Sequence, residues 1–263
     1  MALKPRQRQN LIRWMLYALL VGAIAVAALL ADWERILRNF ARLDIAAEMF
    51  PQVLTRFALN TLLYTFAAFL FGLLLALILA FMRLSPVGPY RWMAATYTEL
   101  FRSVPALVTI LIINFGVPLA FGRRIPGGLF GIAAVGLGMV AAAYMAETIR
   151  AGIEAVPKGQ AEAARSLGMR PSQAMFSIVL PQAFRIIIPP MTNEFVLLIK
   201  DTSLLFVVGT TPLTRELTKF SRDTMQVEGN ATPMVVAAFI YMVITLPLTY
   251  IVRRLEVRGA RGR

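Results

Sequence analysis

Six apolar runs, separated by charged or turn-rich stretches, set the pattern of the chain. The first covers 14–31, 18 residues, near the lower limit for crossing a bilayer as a helix. The second, 57–82, is the longest, and its small residues Ala67, Ala68, Gly72, Ala76 and Ala80 would admit a close neighbouring helix. Arg83 and the Ser85-Pro86-Val87-Gly88-Pro89 turn end it. A third run, 104–121, has Pro105 near its start, and a fourth, 129–150, is rich in Gly and Ala and so predicted to be central. The fifth, 186–209, is the least regular. Pro189-Pro190 is expected to break it early, and Glu194, Lys200 and Asp201 fall within it. The last is 232–252. The stretches 32–56 and 210–231 are mixed or polar, the former with the look of an amphipathic segment.

Between the fourth and fifth runs lies a polar, helix-forming stretch, 151–185. It predicts a helix over about 157–167, stopped by Gly168, which readily takes the left-handed conformation past a helix end. A second helix starts near Pro171 and runs toward Leu180, and Pro181 is expected to prevent simple continuation. In the first helix Ala161, Ala164 and Leu167 share a face, with Glu162 and Arg165 elsewhere. Such a small, knobbly face suits docking into a groove of another protein. The competing reading is an amphipathic helix lying on the bilayer surface.

Composition narrows the class. Of 263 residues, 58% are hydrophobic and the mean hydropathy is +0.68, too apolar for a soluble domain. The chain has no Cys and no His, which removes disulfides, thiol nucleophiles, the commonest metal ligand and the commonest general base. There is no G-x-x-x-x-G-K-[ST], so any work done by ATP belongs to a partner. The net charge of +13 fits basic cytoplasmic loops better than nucleic acid. With both termini taken as cytoplasmic, 17 of the 27 Lys and Arg fall on the inner side and nine on the outer, with Lys200 within a span. That excess supports six spans with the 151–185 loop inside. A cleaved signal peptide is the rival for the first run, since Ala25-Val26-Ala27 fits a cleavage pattern; its length and the bracketing Trp14 and Trp33 favour a retained span.

Glu162-Ala163-Ala164, then Gly168 after three residues, then Ile178, Leu180 and Pro181, resembles the EAA loop of the membrane subunits of bacterial ABC importers at every fixed position. The resemblance extends over most of 55–256. Asn60-Thr61-Leu62, Glu99-Leu100-Phe101-Arg102 with Pro105, Tyr144-Met145-Ala146-Glu147 with Arg150 and Gly152, Pro157-Lys158-Gly159-Gln160, and Asn193-Glu194-Phe195 leading to Lys200-Asp201-Thr202-Ser203-Leu204 are similar to the polar amino acid permease branch. The family implies an all-α polytopic membrane protein of about six transmembrane helices: a five-helix type I importer core, one extra N-terminal helix and a cytoplasmic coupling helix. The implied organisation is an N-terminal segment, extra span and linker over 1–54, the transmembrane domain over 55–256 with its coupling loop at 151–185, and a basic tail over 257–263. It also implies no catalytic site, metal or cofactor in this chain. ATP and Mg would be bound by ATP-binding subunits, beside a second permease copy or a sister permease and an extracytoplasmic solute-binding protein. Thr109 and Asn114 stand where that branch leads one to expect Gln and Tyr, which puts substrate preference in question.

Ionisable residues at membrane depth are functional candidates. The candidate pathway is Asn114, Tyr144, Glu147, Asn193, Glu194, Lys200, Asp201, Thr202 and Ser203. The structural alternatives are that Lys200 and Asp201 neutralise each other or cap the break made by Pro189-Pro190, that Tyr144 and Glu147 are interface or loop-bracing groups, and that Asn114 is helix–helix glue. Glu99 and Arg102 are expected to pair as a brace. Glu162, Ala163, Ala164, Leu167 and Gly168 are the candidate coupling residues, by the resemblance. Two other classes remain: an ATP-independent channel or carrier for small polar solutes, and a membrane-embedded hydrolase, which the lack of His, of Cys and of a nucleophile elbow disfavours.

Overall fold

A computed structural model describes residues 5–261, all helix and connecting turn among the described residues. Lys4 and Arg263, counted above among the basic termini, lie outside them. The chain forms two compact units, Met1–Leu43 and Asp44–Arg263.

In the first unit, α1 (Pro5–Leu30) contains an apolar stretch, Ile12–Leu30, with no residue buried within the chain. Asp32 then caps α2 (Trp33–Phe40), its carboxylate accepting the Arg35 N–H at 2.9 Å. The Trp33 indole N–H donates to the Ala28 carbonyl at 2.7 Å.

The second unit begins at the second residue of α3 (Leu43–Met49) and continues through a π-helical turn (Val53–Ala58) into α4 (Leu59–Leu84). On α4 the small residues Ala68, Gly72, Ala76 and Ala80 are buried, while Phe66, Leu70, Leu74, Ile78 and Phe81 are exposed. That arrangement suits lipid: large side chains face acyl tails and small ones let backbones approach. The partner is α9 (Gly138–Glu154), the most enclosed helix. A Cβ on Gly138 would lie 2.9 Å from the Ala68 carbonyl oxygen, so the two backbones nearly touch.

The other elements surround this pair. They are α5 (Gly88–Ser103), α6 (Ala106–Leu111), α7 (Val117–Phe121) and α8 (Leu129–Ile132), then α10 (Lys158–Ser166), α11 (Pro171–Ala174), α12 (Leu180–Asp201), α13 (Leu217–Glu228) and α14 (Thr232–Arg261). The Tyr97 hydroxyl of α5 donates to the Met139 carbonyl of α9 at 2.9 Å. Against α12, a Cβ on Gly152 would stand 2.3 Å from Ile187 Cγ1.

Among the described residues, five stretches are long and apolar enough to cross a membrane: Ile12–Leu30, Val53–Leu84, Leu129–Glu154, Pro171–Val207 and Thr232–Glu256. A sixth crossing exists only if Gly88–Ser103 and Ala106–Phe121 count as one span, and these are bent by 104°. The run expected over 104–121 is helical from Ala106 to Phe121 but passes as a span only together with Gly88–Ser103; the bend falls at its start, because a residue preceding proline is pushed out of the helical region and Val104 is extended. The expected breaks at Pro181 and at Pro189-Pro190 do not occur. A π-helical turn (Met175–Val179) precedes Pro181, the Leu180 N–H reaching back to the Met175 carbonyl, and α12 then runs unbroken to Asp201. Pro189 is buried within it; packing of α12 on α9 holds the helical path that the proline bonds alone would not.

The 210–231 stretch, read as merely polar, contains α13. Glu216 caps that helix from a fully buried position. Its carboxylate accepts the backbone N–H groups of Thr218 at 2.6 Å and Lys219 at 2.5 Å, and the Tyr241 hydroxyl at 3.3 Å. Burial pushes the carboxyl up to about 7, against the opposing pull of these bonds. The turn before it is tied to the start of α4. Asn60 donates to the carbonyls of Leu213 and Arg215 at 2.9 and 2.8 Å, and Tyr64 to that of Thr214 at 2.8 Å.

Candidate functional site

A cavity of about 520 Å³ opens where the α5–α6 bend meets α9 and α12. Arg102, Ser103, Val104, Pro105 and Ala106 line it from the bend; Val140, Ala141 and Tyr144 from α9, with Leu137 from the π-helical turn (Ala133–Leu137) before it; Glu194, Leu197, Leu198 and Asp201 from α12. The bend follows from local chemistry. Pro105 has no N–H to continue α5, and the Ser103 hydroxyl turns back to the Glu99 carbonyl at 2.7 Å. Non-helical backbone thus sits at the cavity wall.

Glu194 and Asp201 are seven residues apart, two helical turns, and face the cavity together. Opposite them the Arg102 guanidinium lies 5.5 Å from the centre of the Tyr144 ring. One expectation is corrected here, and one of the structural alternatives finds no ion pair to support it. Glu99 and Arg102 form no ion pair: at the end of α5 the Arg102 stem reaches α9 and lies over the Tyr144 ring, away from the solvent-exposed Glu99. Nor do Lys200 and Asp201 form one. Adjacent residues on a helix point apart, so Lys200 is exposed while Asp201 faces the cavity.

The cavity brings together three of the nine sequence candidates: Tyr144, Glu194 and Asp201. Asn114 is half-buried on a π-helical turn (Ile112–Gly116), Asn193 is exposed, Thr202 is buried and donates to the Ile199 carbonyl at 2.6 Å, and Ser203 is half-buried. None of these lines the cavity. Glu147 stands one turn beyond Tyr144. Its carboxylate takes the Arg150 fork through both oxygens and lies 3.9 Å from Arg83. Sequence reasoning missed Arg102 as a cavity residue; the signal available was an Arg three residues before a Pro at the mouth of an apolar run.

The second feature is the loop containing α10. Pro157 stands at its N-cap, and the helix ends as expected at Leu167 and Gly168. Gly168 has φ +90°, its N–H bonds to the Arg165 carbonyl at 2.9 Å, and the Met169 N–H reaches Ala164 at 3.2 Å, a Schellman closure. The expected docking face is corrected. Ala164 is buried and Ala161 packs on this chain's own core, because a stripe of alanines suits close approach to α11 and the turn after it. Leu167 projects at 86% exposed, beside exposed Glu162, Ala163 and Arg165. An open groove of about 570 Å³ runs along Glu162, Arg165, Ser166 and Gly168 to Met169, Arg170 and Pro171. Among the described residues no group of three His, Cys, Asp or Glu could hold a metal ion.

Long apolar helices around a largely apolar cavity that holds Arg102, Glu194 and Asp201, with an exposed helical loop, fit the membrane-embedded part of a transport system. The chain belongs to the family of binding-protein-dependent transport system inner membrane components, which matches residues 68–259. It is 39% identical over 199 residues to the probable glutamine ABC transporter permease protein GlnM of Bacillus subtilis (strain 168), covering 76% of this chain and 89% of that one. It is 35% identical over 216 residues to the arginine transport system permease protein ArtQ of the same organism, covering 81% and 96%. The crystal structure of an amino acid ABC transporter with histidines superposes with a TM-score of 0.73 at 35% identity, over 81% of this chain and 96% of that one. This chain is accordingly a multi-pass inner-membrane permease component, and the ATP-independent channel or carrier is not favoured.

Proposed function

We propose that the chain carries a polar amino acid into the cell as the permease subunit of an ATP-driven importer, with solute held in the cavity at the α5–α6 bend. The observation that carries this is the charge pattern across about 520 Å³: Glu194 and Asp201 on one wall, Arg102 above Tyr144 on the other. An amino acid presents an ammonium to the first wall and a carboxylate to the second. The names of the glutamine, arginine and cystine permeases among the relatives support that class. The two acids against one cation favour a solute with a neutral or cationic side chain.

This chain makes and breaks no bond in that reading. ATP and Mg²⁺ would be bound by ATP-binding subunits docking on the exposed side of α10, at Glu162, Ala163, Leu167 and Gly168. Ala164 supports that helix from beneath. A second permease copy or a sister permease would complete the membrane pathway, and an extracytoplasmic binding protein would deliver solute. Both termini and the α10 loop would be cytoplasmic, as the distribution of Lys and Arg favours. Closure of the ATPase pair would move α10 and rock the helices around the cavity.

The test is uptake by the complete complex in liposomes, with labelled amino acids outside and ATP within. Solute should accumulate only with both ATP and the binding protein. Accumulation with a hydrolysis-dead ATP-binding subunit would overturn the proposal.

A further inference from the structure

Tyr144, Glu147, Arg150 and Glu154 follow one another along α9 at helical spacing, three, three and four residues apart, and so form one row. At one end of the row Tyr144 is a wall of the cavity and carries Arg102 over its ring. At the other, Glu154 is the last residue of α9, with only residues 155–157 before α10. Glu147 joins the two ends. Both its oxygens hold the Arg150 fork, whose other amino nitrogen bonds Glu154 at 2.5 Å. The same carboxylate is 3.9 Å from Arg83 at the end of α4. One side chain thus pairs with a cation from the end of another helix and with one from its own, one turn from the ring that Arg102 covers.

The mechanical setting gives this junction leverage. At Gly72 and Gly138 the backbones of α4 and α9 touch. From there to Arg83 and Glu147 is about 17 and 14 Å along the helices, at 1.5 Å per residue. Fixed at both points, α4 and the end of α9 must move together. Arg102, meanwhile, shares the cavity with two kinds of partner: the ring of Tyr144, over which it lies, and the carboxylates of Glu194 and Asp201. A positively charged solute group at those acids satisfies them and leaves Arg102 on the ring; an empty cavity leaves them to attract it away from α9. A differential contact of this kind is what a coupling between sites requires.

We propose that Glu147 is a positioning residue that couples occupancy of the cavity to the position of the α10 loop, by holding Arg83 and Arg150 at one junction, one turn along α9 from the cavity's Tyr144. The proposal rests on the importer reading above and goes beyond it by assigning the path between the two sites.

The experiment compares the complete complex, with its ATP-binding subunits and binding protein in liposomes, in wild-type, Glu147→Gln, Arg83→Gln and doubly substituted forms. The readout is ATP hydrolysed per solute carried, with complex assembly and thermal midpoint alongside. Glu147→Gln should raise that ratio about fivefold or more, the lower end of typical couplings, in complexes that assemble and melt as wild type. The double substitution should be no worse than Glu147→Gln alone, because both remove one interaction. Glu147→Asp, which keeps the charge, should recover part of the loss. A wild-type ratio with a lowered midpoint would make Glu147 a plain brace and overturn the proposal, as would additive effects. Should Glu147→Gln not assemble, Arg83→Gln carries the same expectation, and a wild-type ratio there overturns it. Absence of ATP-driven uptake by the wild-type complex would instead overturn the importer reading.

Discussion

The Cβ that Gly72 lacks would stand 2.9 Å from the carbonyl oxygen of Gly138, on the facing helix. Neither backbone can withdraw without unpacking α4 from α9. Gly138→Val should therefore destabilise the purified permease by about 1–3 kcal/mol, the usual cost of overpacking a tight contact. Gly22→Val, where a Cβ meets nothing within 4 Å, should do far less. Thermal unfolding in detergent measures both; equal effects would show that the crossing is not close-packed.

The two cavity acids predict an effect on solute as well as on rate. Glu194→Gln and Asp201→Asn should each weaken uptake roughly 10- to 100-fold, the range for losing a hydrogen bond to a charged group. The loss should be larger for a solute with a cationic side chain than for a neutral one. Concentration-dependent uptake of two labelled amino acids reads this, and an equal loss for both would remove the charge argument.

Gly168 sits at φ +90° in open space, so a side chain there costs backbone strain rather than a clash. A bulky L-residue in the left-handed region costs about 1–2 kcal/mol, whereas Asn visits it readily. Gly168→Val should leave the permease in the membrane at normal abundance but uncouple ATP hydrolysis from uptake. Gly168→Asn should stay close to wild type. Wild-type coupling in the Val variant would argue that the Schellman turn has no part in docking.

Glu216 predicts a pH dependence. Its folded carboxyl is pushed up to about 7 from an ordinary 4.5, so the folded chain holds this proton more tightly than the unfolded chain. The stabilisation is complete below about 4.5 and is lost as pH rises through about 7, a change of order 3 kcal/mol. Glu216→Gln, neutral throughout, lacks this term. Melting both proteins from pH 5 to 8, wild type should fall relative to the variant as pH rises. A constant difference would show that the buried cap does not titrate.

What could be read in the sequence followed from local chemistry. The helix from Pro157 to Gly168 was visible because a proline can open a helix and a glycine can close it, and both act over a few residues. The apolar runs were visible because bilayer thickness sets a length. The failures were tertiary. Pro189-Pro190 marks a break only if nothing outside the helix holds it, and here α9 does, through Gly152 and Ile187. Arg102 and Tyr144 are 42 residues apart, and no pattern in either neighbourhood announces that they meet. The inward turn of Ala161 and Ala164 was invisible for the same reason: an alanine face suits a foreign groove and the chain's own core equally well.

The 104° turn at Val104-Pro105 separates two properties that are usually bound together in a membrane protein. The residues from Ser103 to Ala106 line the cavity at the very start of the 104–121 run, outside its apolar centre. Substitutions there leave the rest of that run as hydrophobic as before, so the insertion machinery meets nearly the same message. The turn is thus a place where a lineage, or a protein engineer, can change what the importer accepts without renegotiating how it enters the bilayer.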